Sequence, residues 1–267
     1  MTQWDRPLAL VTRASSGIGR ELAGEFARGG FDLIVAAEDA GITDAARQIE
    51  SQGAATTAVR VDLATYDGVQ ELYDAVRATG RPLVALAVNA GVGVSGDFAG
   101  NDLAAELRLV NLNVTSAVHL TRLVLPHMVE QGGGRVLITS SIAATMPGPY
   151  HATYAASKAF LYSFAEAIRH ELRETGVTVT ALMPGPTDTD FFERAGMEDT
   201  KLGAMKNKDD AAEVARQGFE ALMAGKDHVV AGSPKNRVQA TAAKVLPETA
   251  KAKAQARMTE PGSAGDA

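Results

Sequence analysis

Leu8–Gly30 reads LALVTRASSGIGRELAGEFARGG, and the reading of this stretch decides the fold. Leu8 to Thr12 is a short apolar run of the kind a buried strand requires. RASSGIG is a tight turn, and RELAGEFAR has helical composition and closes on a glycine pair suited to a C-cap. Strand, turn and helix together make the first half of a βαβ unit, and the chain goes on repeating it. FDLIVAA gives a second strand, AGITDAARQIESQG a second helix and TTAVRVDLA a third strand, followed by a helix from about Tyr66 to Thr79. PLVALAVNAG is a fourth strand and GRVLITSS a fifth. A helical region from about Asp102 to Gln131 lies between them, where Pro126 is expected to kink or break it. VTVTALMPG and HVVAG supply a sixth strand and a short seventh. Right-handed crossovers then predict an α/β fold: a Rossmann-like doubly wound parallel sheet of six to seven strands with helices on both faces.

RASSGIG, VNAG, SS and MPGP all follow strands, so they are expected to meet on the carboxyl edge of the sheet, where such folds bind ligands. A second stretch reaches the same edge, SIAATMPGPYHATYAASK from Ser141 to Lys158. No Gly or Pro interrupts Thr153 to Thr175, so Tyr154 and Lys158 should share one helix face at i and i+4. There an ammonium can stabilise a phenolate and lower a phenol pKa that is ordinarily about 10. With Ser141 upstream, the stretch offers one reacting oxygen a hydroxyl, a phenol and an ammonium.

These residues and the glycine-rich turn resemble the short-chain dehydrogenase/reductase (SDR) family, and the likeness covers about residues 7 to 232. The resemblance implies a catalytic set of Ser141, Tyr154 and Lys158, with Asn113 in the place of the asparagine that binds a water of the proton relay. Asn111 is the competing assignment. It also implies a nucleotide site. In the first turn Thr12, Ser15, Ser16, Gly17, Ile18 and Gly19 follow the family pattern, but Arg13 stands where its first glycine belongs. Arg13 is expected to point toward the adenosine ribose and hold a 2′-phosphate in bidentate fashion. The alternatives are that it swings into solvent, pairs with Glu38 or obstructs the cofactor.

After the second strand, Ala37 lacks the Asp of NAD-type relatives and Glu38 lacks the Arg of NADP-type ones. NADP(H) is favoured and NAD(H) remains possible. Asp62 and Leu63 match the family's adenine contact. Asn89, Ala90 and Gly91 match the end of its Asn-Asn-Ala-Gly motif, with Val88 replacing the first Asn. Pro184, Gly185, Thr187 and Thr189 match the segment beside the nicotinamide carboxamide. The substrate expectation is a small carbonyl or alcohol, an apolar ketone by preference, with Met146, His151, Phe191 and Phe192 as pocket candidates. His151 is expected to be a solvent-facing loop residue.

Composition narrows the partners. The chain has 267 residues, a formal net charge of −6, no dense Lys/Arg run and no cysteine. A nucleic-acid or membrane footprint is not supported, disulfides and thiol chemistry are excluded, and a cytoplasmic location and a homodimer or homotetramer are expected. The five histidines lack metal-ligand spacing, so no metal is expected. One domain is expected over residues 1–235, including a substrate lid at about 189–224. A helical extension broken near Pro247 should follow at 236–257, and 258–267 should be a disordered tail.

Overall fold

The computed structural model of the protein describes residues 6–243 and 245–266; residues 1–5 and 267, part of the domain and tail expectations, lie outside them. The strands are β1 Leu8–Thr12, β2 Asp32–Ala37, β3 Thr56–Arg60, β4 Leu83–Val88, β5 Gly134–Thr139, β6 Val177–Pro184 and β7 His228–Ala231. They form one seven-stranded sheet in the order 3-2-1-4-5-6-7. Every neighbouring pair is parallel. The order reverses between β1 and β4, which is where a doubly wound sheet opens a ligand crevice.

Apolar alternation along the strands sorts side chains to two cores. Ala9 and Val11 of β1 pack with Leu22 and Phe26 of α1 (Gly17–Arg28), Ile42 and Ile49 of α2 (Gly41–Glu50), and Val214 and Leu222 of a helix near the C-terminal end. Leu8 and Leu10 face the other layer, with Leu72 of α3 (Tyr66–Ala78), Leu120 and Leu161. A strand buried on both faces reads as a continuous apolar run, which is why β1 was legible as LALVT.

The helical region between β4 and β5 is α4 (Leu103–Val110), a π turn at Asn111–Thr115, and α5 (Ser116–Glu130). Helix α5 continues through Pro126 without a break; the irregularity lies at the π turn, a feature often found at functional sites. Helix α6 (Ala152–Glu171) carries Tyr154 and Lys158.

Past β6 the chain departs from the expected lid. Short helices α7 (Phe191–Arg194) and α8 (Lys201–Ala204) cover the carboxyl edge, but α9 (Ala211–Met223) is a core helix, with Val214, Ala215 and Leu222 fully buried. The cover therefore spans only about 189–210. Helices α10 (Pro234–Ala242) and α11 (Glu248–Thr259) flank the expected break near Pro247. Much of the tail expected to be disordered is instead docked, with contacts reaching Ala264, whose N donates to Asp199 O at 2.9 Å. Thr259 Oγ1 donates to Pro149 O at 2.8 Å, and Gly262 N donates to Asp199 Oδ2 at 2.9 Å. Ser263 Oγ accepts from Lys201 N at 3.0 Å. Polar backbone partners far away in sequence order a segment whose composition alone reads as loose. Among the described residues, no helix is long and apolar enough to cross a membrane.

Candidate active site

The carboxyl ends of β1, β4, β5 and β6 surround a cavity of about 380 Å³, lined by the first turn, the β5–α6 segment, the β6–α7 turn and the C-terminal helices. Its inner wall is a set of mutual ties. Thr12 Oγ1 accepts from Asn89 N at 2.9 Å and Ala90 N at 3.0 Å, which pins the end of β4 to β1. Asn113 is fully buried, whereas Asn111 is exposed. Asn113 Oδ1 accepts from Val92 N, and its Nδ2 donates to Val92 O and to Ser157 Oγ, locking the β4 loop to α6. The π turn supplies this inward direction, since one extra residue rotates the helix face.

Ser141 caps the short turn Ile142–Thr145, accepting from Ala143 N at 3.1 Å. Ser140 Oγ donates to Lys158 O at 2.7 Å and fixes α6 to β5, a contact the sequence did not announce. Tyr154 and Lys158 do share one face, with Nζ 5.7 Å from the ring centroid. Lys158 Nζ donates to Thr139 O at 2.9 Å. The electrostatics differ from expectation. Burial pushes the Tyr154 phenol up to about 12, opposed by the Ser141 hydroxyl and the Arg13 guanidinium rather than by Lys158. Burial, helped by Arg13, pushes Lys158 down to about 7. Lys158 is thus only partly an ammonium near neutral pH.

Arg13 has the least ordinary backbone of the site. It adopts φ 53°, a left-handed conformation costing a non-glycine residue roughly 1–2 kcal/mol. Its side chain reaches to the end of β4. Nη1 donates to Gly91 O at 2.6 Å, so the guanidinium crosses the cavity between the first turn and β4. It does not pair with Glu38. Arg108 of α4, unforeseen in the sequence, donates to Glu38 and, at 2.9 Å, to Asp62 Oδ2. That Arg108 pair is the main reason the Asp62 carboxyl is held below its ordinary range. Ser15 Oγ donates to Asp39 Oδ2 at 2.7 Å, Ala37 is buried at the end of β2, and Leu63 is a core residue.

The β6–α7 turn is held from behind. Asp209 N donates to Pro186 O, Asp188 N donates to Asp209 O, and Asn236 Nδ2 donates to Asp209 Oδ2 at 2.7 Å. Pro184, Gly185, Thr187 and Thr189 thereby line the cavity; Thr187 Oγ1 donates back to Gly185 O, and Thr189 Oγ1 accepts from Phe191 N. All four pocket candidates reach the cavity. Phe191 packs on Tyr154 at 5.1 Å between ring centroids, and Phe192 is buried with Ala195 and Met197. His151 is not solvent-facing: it is only 4% exposed, its ring lies 6.0 Å from that of Tyr154, and burial pushes it down to about 4. Gln255 and Met258 of α11 complete the wall, and no local motif marks them. Outside this edge, ligand-type atoms of Glu166, Asp227 and His228 lie within 4.8 Å of one another, at the opposite end of β7.

The atoms of this edge fit a dinucleotide. Ser16 is extended, and its side chain makes no capping hydrogen bond, so the first-turn N–H groups of α1 face the cavity free for an anion. A Cβ on Gly19 would stand 2.0 Å from Arg13 O and 2.6 Å from Asn89 Nδ2, so only glycine permits this closeness of turn and strand. Arg13 lies across the cradle, but its far end is a flexible side chain.

The short chain dehydrogenase family pattern matches residues 7–199. A ketoacyl reductase, HetN, from Nostoc sp. is 30% identical over 208 residues, spanning 77% of this chain and 71% of its own length. A short-chain dehydrogenase from Sphingobium yanoikuyae in complex with NADPH has a TM-score of 0.78 at 28% identity, covering 84% of this chain and 87% of its own. One from Burkholderia phymatum in complex with NAD has a TM-score of 0.77 at 25% identity, covering 90% and 94%. A pattern match running from β1 past α7, on a sheet of this strand order, settles the kinship: the chain belongs to the short-chain dehydrogenase family.

Proposed function

We propose that the protein interconverts a small apolar ketone or aldehyde and the corresponding alcohol, as an NAD(P)(H)-dependent carbonyl reductase with Tyr154 as general acid and base. The observation that carries this reading is the placement of Ser141, Tyr154 and Lys158 on one cavity wall beside the α1 N-terminus. A bound nicotinamide nucleotide supplies or accepts the hydride. Ser141 holds the substrate oxygen, and Tyr154 gives that oxygen its proton in reduction or takes it in oxidation. Lys158 positions the nicotinamide ribose. Asn113 Oδ1 keeps a second lone pair free for a relay water. It and Lys158 Nζ both stand 3.3 Å from the point where a side chain on Gly91 would begin.

Phe191, Phe192, Met146 and Met258 give the cavity an apolar wall, which supports an apolar substrate, while His151 offers a neutral imidazole for a polar substituent. A phenol raised by burial stays protonated at neutral pH, as a proton donor to the substrate oxygen must be. NADP(H) is the favoured form: Ala37 presents no carboxylate, and Arg108 offsets Glu38. The test is loss of reduced-nicotinamide absorbance with a panel of apolar ketones and aldehydes. No turnover with either nucleotide would remove the reading.

Arg13 across the cradle favours one other reading, a catalytically silent scaffold that binds a ligand or a partner protein. Dinucleotide binding by the unaltered protein excludes it. Exposed Leu103, Leu107 and Phe160 on α4 and α6 support a homodimer or homotetramer; sedimentation as a monomer would count against that. The absence of cysteine suits the reducing cytoplasm, and cell fractionation checks that location.

A further inference from the structure

Arg13 and Lys158 face the cavity without a carboxylate in ion-pair contact, although Asp190 and Asp209 also line it. Lys158 is 4% exposed, and among the described residues its ammonium hydrogen-bonds only the carbonyl of Thr139 and the Arg13 guanidinium only that of Gly91. The carboxylates nearest to Arg13 in the field it feels are Glu38 and Asp190, and both are committed elsewhere, Glu38 to Arg108 and Asp190 to Arg194 at 3.6 Å. Among the described residues, no carboxylate comes within ion-pair distance of Arg13 or Lys158. Charges withdrawn from water without a counter-charge are costly, so a site built this way is completed by an anionic ligand.

The position says which anion. Arg13 opens the turn whose other end is the uncapped N-terminus of α1, and Ser16, Gly17 and Ile18 line the same cavity. Helix N–H groups, the positive end of a twelve-residue helix and a guanidinium thus face one space. The left-handed backbone at Arg13 aims the side chain across that space and away from Glu38.

We infer that Arg13 is a side-chain ligand for the diphosphate of the dinucleotide, and that its bridge to Gly91 O is a latch that the diphosphate releases. The guanidinium exchanges a neutral carbonyl acceptor for phosphate oxygens, a stronger charge-assisted partner. The inference rests on the nucleotide-dependent reading above and deepens it. NADH and NADPH carry the same diphosphate, so Arg13 adds affinity for both and discriminates neither. Discrimination stays with Ala37, Glu38 and Arg108, around the end of β2.

The experiment is calorimetric titration of the intact protein, Arg13→Met, Arg13→Lys and Arg13→Gly with ADP, adenosine, 2′-AMP, NADH and NADPH. Met keeps the length and removes the charge, and thermal melting of each variant checks its fold. The expected result for Arg13→Met is a 10- to 100-fold loss for ADP, the range of a lost charge-assisted hydrogen bond, with adenosine and 2′-AMP unchanged. NADH and NADPH should fall by the same factor, and Arg13→Lys should recover part of the loss. A loss confined to NADPH and 2′-AMP would overturn the proposal in favour of a 2′-phosphate clamp. Tighter ADP binding by Arg13→Met or Arg13→Gly would overturn it in favour of obstruction. If the intact protein and all three variants bind neither ADP nor a dinucleotide, the nucleotide-dependent function falls too; equal ADP binding by the intact protein and Arg13→Met removes the inference alone.

Discussion

The Ser141–Tyr154–Lys158 corner and the first turn stand on the same edge of one sheet, yet they are finished differently. In the corner the main polar side chains are tied to the protein: Ser141 caps a turn, Asn113 ties a loop to α6, and Lys158 is seated on Thr139 O. In the turn, Arg13 holds a left-handed backbone, and Arg108 closes over the two carboxylates beside it. These ties hold the corner in place without a ligand. The turn is held in a provisional arrangement of side chains that a ligand can rearrange. Mutations in the two regions should therefore separate chemistry from binding.

The largest effect is expected from Tyr154→Phe. Removing the proton donor should lower turnover by about 10²- to 10⁴-fold, the usual worth of general acid–base catalysis, and leave ADP affinity within about twofold. Turnover falling together with ADP affinity would show that corner and turn are one unit and break the comparison.

Gly19→Ala attacks the seam between them. Its Cβ would meet backbone of the first turn at 2.0 Å, and neither Arg13 O nor the Asn89 side chain can yield without moving a strand end. Overpacking of this sort costs about 1–3 kcal/mol. The expected outcome is a lower melting temperature together with loss of ADP binding. An unchanged melt would mean that the turn is looser than its contacts imply.

Lys158→Met tests the corner's electrostatics through stability. Lys158 is pushed from its ordinary 10.5 down to about 7, so between those values the unfolded chain binds more protons than the folded one. Folding stability of the intact protein then rises with pH across this window, and the penalty is fully present below it. Met in its place removes the penalty. The variant should melt higher near pH 7, by about 2–4 °C for each kcal/mol recovered, and the gap should shrink toward pH 10.5. A gap independent of pH would show that packing, not charge burial, sets the difference.

The two regions also differ in how far the sequence discloses them. Strands were legible as apolar runs between turn signals, and Ser141, Tyr154 and Lys158 were legible because their spacing on one strand end and one helix is local. What stayed hidden depends on contacts between distant segments. Arg108 meets Glu38 and Asp62 from α4; Asp209 and Asn236 brace the Pro184 turn from two further segments; α11 and the tail bury the loop that carries His151. The direction of Arg13 was illegible for the same reason, since it follows from a backbone angle and from a carbonyl acceptor on another strand. Position 13 could be read as an anomaly, but its partner could not.

The smallest expected effect belongs to Arg108→Ala, and it sharpens the comparison most finely. Arg108 is about half exposed, so its pairs with Glu38 and Asp62 contribute little to stability, and the melting temperature should stay nearly unchanged. Its consequence lies in what it offsets. Without it, Glu38, Asp39 and Asp62 present uncompensated negative charge beside the end of β2, and a 2′-phosphate meets that charge whereas a 2′-hydroxyl does not. NADPH should weaken by about 3- to 10-fold relative to NADH at low salt, and the difference should shrink as salt is added. An equal loss for both nucleotides would move Arg108 from phosphate discrimination to the adenine contact that Asp62 implies. The turn would then recognise only features common to both cofactors, and the choice between NAD(H) and NADP(H) would have to lie with Ala37 and Arg60, whose guanidinium already donates to Glu38 O at 3.0 Å.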